Sequence, residues 1–177
     1  MKDTHAPIIL FTYKRLGHTQ RTVESLLRNN LASSSELIIY IDGPRSDEEI
    51  SQVSSVKNYV KNIKGFKSLH VIEREINFGL SKNIIEGVTE VLGDFDEAII
   101  IEDDLVTSPF FLEYMNISLR KYLNETQVAS IHGYTYPVNL TLPETFFLRG
   151  ADCWGWGTWR DRWTEFNQDP KEILESI

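Results

Sequence analysis

Between Ala98 and Met115 the chain reads AIIIEDDLVTSPFFLEYM, an apolar run that ends abruptly in three adjacent carboxylates, Glu102, Asp103 and Asp104. Neighbouring carboxylates repel one another, and burying one without a compensating positive charge costs several kcal/mol. Ala98–Ile101 has the composition of a buried strand, and Ser108 followed by Pro109 has the form of an N-cap and first helical residue. The acids therefore occupy a strand-to-helix turn. What compensates them decides both the fold and the function.

Working outward, the same alternation recurs. PIILFT (Pro7–Thr12), ELIIYIDGP (Glu36–Pro44), SLHVIERE (Ser68–Glu75) and EAIIIEDD (Glu97–Asp104) read as strands, and VASIHGY (Val128–Tyr134) as a fifth. Between them GHTQRTVESLLRNN, SDEEISQVSSVKNYVKNIKG, SKNIIEGVTEVLGDF and SPFFLEYMNISLRKYLNE carry apolar residues at helical spacing, with an acidic first turn after Ser46, Gly65 as a stop and Ser81 as a cap. Strand–helix alternation of this kind predicts one α/β domain, a mainly parallel sheet with helices on both faces. Such sheets bind ligands at the carboxyl ends of their strands. On that reading Thr12, Asp42 and Glu102–Asp104 converge on one edge. After Pro137 the periodicity stops, and VNLTLPETFFLRGADCWGWGTWRDRWTEF reads as an irregular segment built around a site, with Trp159 and Trp163 on a helix as core packing.

Composition narrows the function. The 177 residues are 41% hydrophobic and 25% charged, with a net charge of −8, which argues against a nucleic-acid partner but leaves room for a small basic pocket. The one cysteine, Cys153, excludes an intrachain disulfide framework and a cysteine cluster for zinc, and fits a reducing compartment. The N-terminus has no signal-peptide pattern, and no stretch approaches the roughly 18 apolar residues of a membrane span. A cytoplasmic protein, at most touching the inner face of a membrane through segments outside this one, is the expectation. The end, DPKEILESI, reads as the middle of a helix, so the chain is expected to continue past Ile177.

The acids suit a hard divalent cation, Mn2+ or Mg2+, which takes one or two protein carboxylates and leaves other positions for substrate phosphates. Against this stands a solvated acidic turn. Asp42-Gly43 is either a simple turn or a carboxylate offered to a base or ribose. NFGLSKN (Asn77–Asn83) is either a turn into a helix or a phosphate loop, with Lys82 and backbone N–H groups near a helix start. Lys14 and Arg15 follow the first strand, where they reach a nucleotide or simply face solvent.

Taken together, the order strand–Lys/Arg, strand–Asp-Gly, Asn-x-Gly-x-x-x-Asn, strand–Glu-Asp-Asp resembles the nucleotide-sugar half of GT-A glycosyltransferases. The likeness is to the N-acetylglucosaminyltransferase-I type and to bacterial family-2-like sugar transferases, some labelled hemolysin-like. It runs from about Ile8 to Trp163, with a donor half over about residues 7–107 and an acceptor and catalytic part over about 108–177. The resemblance implies a metal-dependent, inverting transfer from a nucleoside-diphosphate sugar, a UDP-sugar, to a glycan or lipid-linked hydroxyl. By position, Asp104 would bind the metal. Glu102 and Asp103 would face the ribose and donor sugar. Asp42, Thr12 and Arg15 would form the base pocket, and Asn77, Gly79, Lys82 and Asn83 a loop closing over it. Asp152 would be the general base, with Asp161 a rival, Trp154 and Trp156 acceptor platforms, and His132 a minor sugar contact. All four histidines lie at or before His132. The late metal-binding histidine of many family-2 enzymes therefore lies beyond Ile177, or the arrangement is of the type that lacks it. Rival readings are a sugar-phosphate nucleotidyltransferase, against which the single glycine of TYKRLGH counts, and an inactive glycan- or protein-binding module.

Overall fold

A computed structural model describes residues 5–175. Six strands form one sheet in the order β3-β2-β1-β4-β6-β5. Strands β1 (Ile8–Thr12), β2 (Glu36–Ile41), β3 (Ser68–Glu73) and β4 (Glu97–Glu102) are parallel, whereas β6 (Trp156–Trp159) runs antiparallel to both β4 and β5 (Ile131–His132). The mainly parallel α/β domain expected from the sequence is what the chain forms.

The central strands are apolar throughout because both faces are covered. Ile8, Leu10, Leu37, Ile39, Ile99 and Ile101 face α1 (Leu16–Leu27), α2 (Ile50–Val60) and α4 (Phe111–Lys121). Their neighbours Ile9, Phe11, Ile38, Tyr40 and Ile100 face α3 (Leu80–Asp94). Each fully buried Ile or Leu contributes about 1.5–3 kcal/mol, so this two-sided core fixes the register of all four parallel strands. Edge strand β3 is only half-buried.

Three local expectations are corrected. Helix α4 starts at Phe111, not at Pro109, because Leu112 N–H donates to Asn29 Oδ1 (2.9 Å) beyond the end of α1. A tertiary cap displaces the local one, and Ser108 Oγ only accepts from Phe110 N–H (3.3 Å) in the preceding turn. Helix α3 starts after Gly79, whose φ of 75° suits glycine alone, rather than at Ser81. Most consequential, the segment read as irregular contains a strand. Gly157 permits it: a methyl group there would lie 3.0 Å from Met115 Cε and 3.1 Å from the Ala98 carbonyl oxygen. Glycine lets β6 lie beside β4 and under α4 without displacing either contact. Trp159 is then the last residue of β6 and not helical, though it is core packing as expected, 1% exposed. Trp163 ends the short α5 (Arg160–Trp163), and α6 spans Pro170–Glu175. No helix among the described residues is long and apolar enough to cross a membrane.

Candidate active site

Parallel pairing brings the ends of β1, β2 and β4 together, with Thr12 opposite Ile41 and Phe11 opposite Glu102. The charge that offsets the acid triplet is Arg15. Its Nη2 donates to Asp103 Oδ1 (2.5 Å) and to Asp104 Oδ2 (3.0 Å). Asp103, 4% exposed, also accepts from Thr12 Oγ1 at 3.4 Å, and Thr12 in turn shares a 2.7 Å hydrogen bond with Thr19. Arg15 thus lies with the acids rather than in a separate base pocket. Asp104 is exposed beside it.

Glu102 is half-buried, and its carboxyl is pushed above the usual range, first by burial and then by the charge of Asp104. The Cys153 thiol hydrogen-bonds to it and pulls the other way, while burial and the Glu102 charge push the thiol itself up. Two carboxylates facing each other, one exposed, fit an open cation site. Among the described residues no group of three His, Cys, Asp or Glu forms a complete cage. A site in which phosphate oxygens complete the shell of Mn2+ or Mg2+ needs none.

Asp42 departs from expectation. Its Oδ1 accepts from Gly43 N–H (2.9 Å) and Phe78 N–H (2.7 Å), and its Oδ2 from Gly79 N–H (3.0 Å) and Asn77 Nδ2 (3.0 Å). A carboxylate has about four lone-pair sites, so none is left to meet a base directly. Asp42 instead ties down the 77–79 loop. Gly43 must be glycine for this, since a methyl group would lie 2.4 Å from the Ile76 carbonyl carbon. Asn77 also accepts from Arg45 Nε (3.2 Å), and buried Asn83 accepts from Arg74 Nε (3.4 Å).

Sequence reasoning passed over Arg45 and Arg74. Both follow a strand end, as Lys14 and Arg15 do, and that shared position was the available signal. The Arg74 guanidinium stands 4.8 Å from the Phe78 ring centre and Lys82 Nζ 4.3 Å, so cations flank the ring. Glu49 anchors Tyr13, Lys14 and the Arg45 backbone, and its carboxyl is held down at about 2, chiefly by Lys14 and then Tyr13. Five cations, Lys14, Arg15, Arg45, Arg74 and Lys82, thus gather at one edge of the chain, where Lys14 is paired with Glu49, Arg15 with Asp103 and Asp104, Arg74 with Glu90 and Lys82 with Glu86, pairs that an incoming diphosphate would have to share.

The antiparallel run of β6 brings the second half of the site. Trp156 pairs with Ile100 and Trp159 with Glu97, so residues 152–155 lie at the carboxyl end of β4 and Asp161 at the opposite end. Asp161 is bound twice by Arg162 Nη1, which holds its carboxyl below the usual range. That placement removes Asp161 as a rival base. Asp152 Oδ1 accepts from Trp154 N–H (3.0 Å). It faces His132, whose ring is pushed down by burial and pulled up by the Asp152 charge. The Tyr136 hydroxyl is pushed up, first by desolvation and then by its hydrogen bond to Asp152. Trp154 packs with Tyr134 (4.8 Å between ring centres) and Tyr136 (5.3 Å), a grouping that the sequence reading did not single out. Trp156 is not part of it: it lies on the α3 face of the sheet, 5.9 Å from Trp163.

The sequence model of Glycosyl transferase family 2 matches residues 8–166. No curated protein sequence matches the chain. Among solved structures, it is similar to the mannosyltransferase PcManGT from Pyrobaculum calidifontis in complex with GDP-Man and Mn2+, with a TM-score of 0.43, 9% identity, and coverage of 62% of this chain and 31% of that one. It is also similar to S. aureus TarS, with a TM-score of 0.46, 15% identity, and coverage of 75% and 23%. A third likeness is to a nucleotide-diphospho-sugar transferase from Desulfovibrio desulfuricans G20, with a TM-score of 0.38, 15% identity, and coverage of 70% and 55%. The chain spans well under two thirds of each of these proteins.

Proposed function

Because the chain belongs to glycosyl transferase family 2, we propose that it transfers a sugar from a nucleoside-diphosphate sugar, a UDP-sugar, to a hydroxyl of a glycan or lipid-linked acceptor. Supporting this above all is the meeting of Glu102–Asp104 with Arg15 on one side and with Cys153, the neighbour of Asp152, on the other, at the carboxyl edge of the sheet. Asp104 and Glu102 would hold the divalent cation, Mn2+ or Mg2+, which when bound would neutralise the departing diphosphate.

The chain's own residues supply the rest. Lys14, Arg45, Arg74 and Lys82 attract the donor's diphosphate. Thr12 and the loop of Asn77 and Gly79, held by Asp42, shape the nucleotide pocket, with Asn83 behind it. Asp103, paired with Arg15, keeps the acid turn in place. Asp152 takes the proton of the acceptor hydroxyl as that oxygen bonds to the anomeric carbon. The bond from that carbon to the diphosphate breaks on the opposite side, and its electron pair leaves with the diphosphate. One displacement by an external hydroxyl inverts the anomeric centre.

Calorimetric titration with UDP, with and without Mn2+, on the chain and on Asp104→Ala, tests this reading. Binding that needs both the cation and Asp104 is the expected result. Failure of UDP, GDP and TDP to bind with any divalent cation would sink it.

A further inference from the structure

Arg15 caps the start of α1, and its backbone is fixed there. Its carbonyl accepts from His18 N–H and Thr19 N–H (3.0 Å each) and from Thr19 Oγ1 (3.2 Å). The segment that follows the acid turn is fixed to the other end of the same helix. Thr107 N–H donates to Ser25 Oγ (3.0 Å), and Asn29 Nδ2 donates to Thr107 Oγ1 (3.2 Å), with Ser25 and Asn29 both buried. Helix α1 is thus a common base for the turn and for the arginine. What is free to move between them is the guanidinium, at the end of a long side chain that is 47% exposed.

That guanidinium holds two unequal partners with one nitrogen. Nη2 lies 2.5 Å from Asp103 Oδ1 and 3.0 Å from Asp104 Oδ2. The Asp103 side chain is 6% exposed and that of Asp104 43%. A buried carboxylate stripped of its counter-ion carries a large penalty, whereas an exposed pair is held weakly. The Asp103 bond is therefore an anchor, and the Asp104 bond is exchangeable. The other four cations at this edge are engaged elsewhere: Lys14 with Glu49, Arg74 with Glu90, Lys82 with Glu86, and Arg45 Nε with Asn77. Arg15 is the one that neutralises Asp104, the carboxylate also assigned to the divalent cation. A cation arriving alone meets a carboxylate already paired and a positive charge beside it. A diphosphate changes that balance, because its oxygens accept from the guanidinium donors that Asp104 gives up.

We propose that Arg15 is a resident counter-ion that holds Asp104 until a diphosphate arrives, so that this site takes its divalent cation with the nucleotide and not before it. Arg15 stays anchored on Asp103 throughout. Its exchangeable donors pass from Asp104 to the phosphate oxygens as Asp104 turns to the cation. The proposal rests on the glycosyltransferase reading and adds the order in which that site is filled.

The test measures Mn2+ binding to the whole chain from the electron paramagnetic resonance of free Mn2+, without UDP and with saturating UDP. In the parent chain UDP should tighten Mn2+ binding. Arg15→Gln should bind Mn2+ alone about fivefold more tightly, the worth of an exposed ion pair removed as a competitor. The tightening by UDP should shrink by the same factor, since the two sites share one coupling. Arg45→Gln, which removes a charge from the same edge without touching Asp104, should leave the binding of Mn2+ alone within about twofold of the parent, because salt screens charges that are not in contact. Arg15→Gln leaves buried Asp103 without its partner, so the double variant Arg15→Gln with Asp103→Asn is measured beside it. Neutral amides then stand for both partners, and the same gain for Mn2+ alone is expected. Mn2+ alone binding the Arg15 variants no more tightly than the parent, or an undiminished tightening by UDP, would overturn the proposal. So would an equal gain in Arg45→Gln, which would reduce the effect to net charge. Failure of Mn2+ to bind the parent chain even with UDP is a different failure, that of the donor reading.

Discussion

Asp42 and Asp152 are carboxylates at the same edge of one sheet, and they are held in opposite ways. Asp42 is buried and receives four donors, three of them backbone N–H groups. Asp152 is half-buried and receives one backbone N–H, with Tyr136 and His132 beside it. A carboxylate whose lone pairs are filled holds a loop in place; one with capacity left can take a proton. The contrast extends to the regions around them. The donor side is built on parallel strands buried on both faces and fastened by ion pairs. The other side hangs on β6 and on rings stacked edge to face.

Breaking Asp152 should have the largest effect on turnover and the smallest on the fold. Asp152→Asn keeps the acceptor oxygen for Trp154 N–H but cannot take a proton. We expect kcat to fall about 10²–10⁴-fold, with UDP binding in the presence of Mn2+ and thermal stability unchanged. Loss of UDP binding in that variant would mean that Asp152 belongs to the donor side, and the contrast would fail.

Asp42→Ala should show the converse. It strands the N–H groups of Gly43, Phe78 and Gly79 and the Asn77 amide, each costing about 1–3 kcal/mol if left unpaired and buried. Water reaches part of the loop, so the net loss should be about 2–4 kcal/mol in urea unfolding. Amide exchange at Phe78 and Gly79 should accelerate more than at Ile39, which reports global opening. Uniform acceleration would show that Asp42 holds the whole sheet rather than the loop.

The same contrast governs what could be read in advance. Strands β1, β2 and β4 announce themselves because burial on both faces demands unbroken runs such as Ile8–Phe11 and Ile99–Ile101. The acid turn and its place at the carboxyl edge follow from that pattern alone. Two things did not follow. Arg15 meets Asp103 across 88 positions of sequence, and nothing local marks that pairing; only the parallel register brings them together. Strand β6 is only four residues long, with Gly157 inside it and Gly155 just before it, so its strand-favouring Trp and Thr residues form no recognisable run; pairing with β4 makes it a strand. Tyr134 and Tyr136 sit at and just past the end of the stretch read as the fifth strand, whose paired part is only Ile131–His132, and nothing local links them to Trp154, about twenty residues further on.

Gly157→Ala probes the seam between the two regions. A methyl group there presses on Met115 and on the Ala98 carbonyl, and overpacking of this kind costs about 1–3 kcal/mol. If β6 is what delivers Asp152 to Asp104, this variant should also lower kcat while UDP binding persists. A variant that loses stability with catalysis intact would show that Asp152 is placed by the aromatic cluster instead.

The smallest effects concern pH, and they have opposite signs at the seam and at the outer edge. Glu97 begins β4 opposite Trp159, and burial raises its pKa, with Arg120 pulling against. Its protonated form is favoured in the folded state, so stability is full below the ordinary carboxylate range and is lost as pH rises through the raised value. Glu73 ends β3, and Lys61, then Lys57, lower its pKa. Its contribution is present above the ordinary range and is lost as pH falls through the lowered value. Glu97→Gln should therefore gain melting temperature on the parent chain between about pH 4 and pH 7. Glu73→Gln should lose it over the same interval, by under about 1 kcal/mol because the pair is on the surface. Curves that shift in the same direction would mean that Glu97 is solvated when charged, and that the seam is as open to water as the edge.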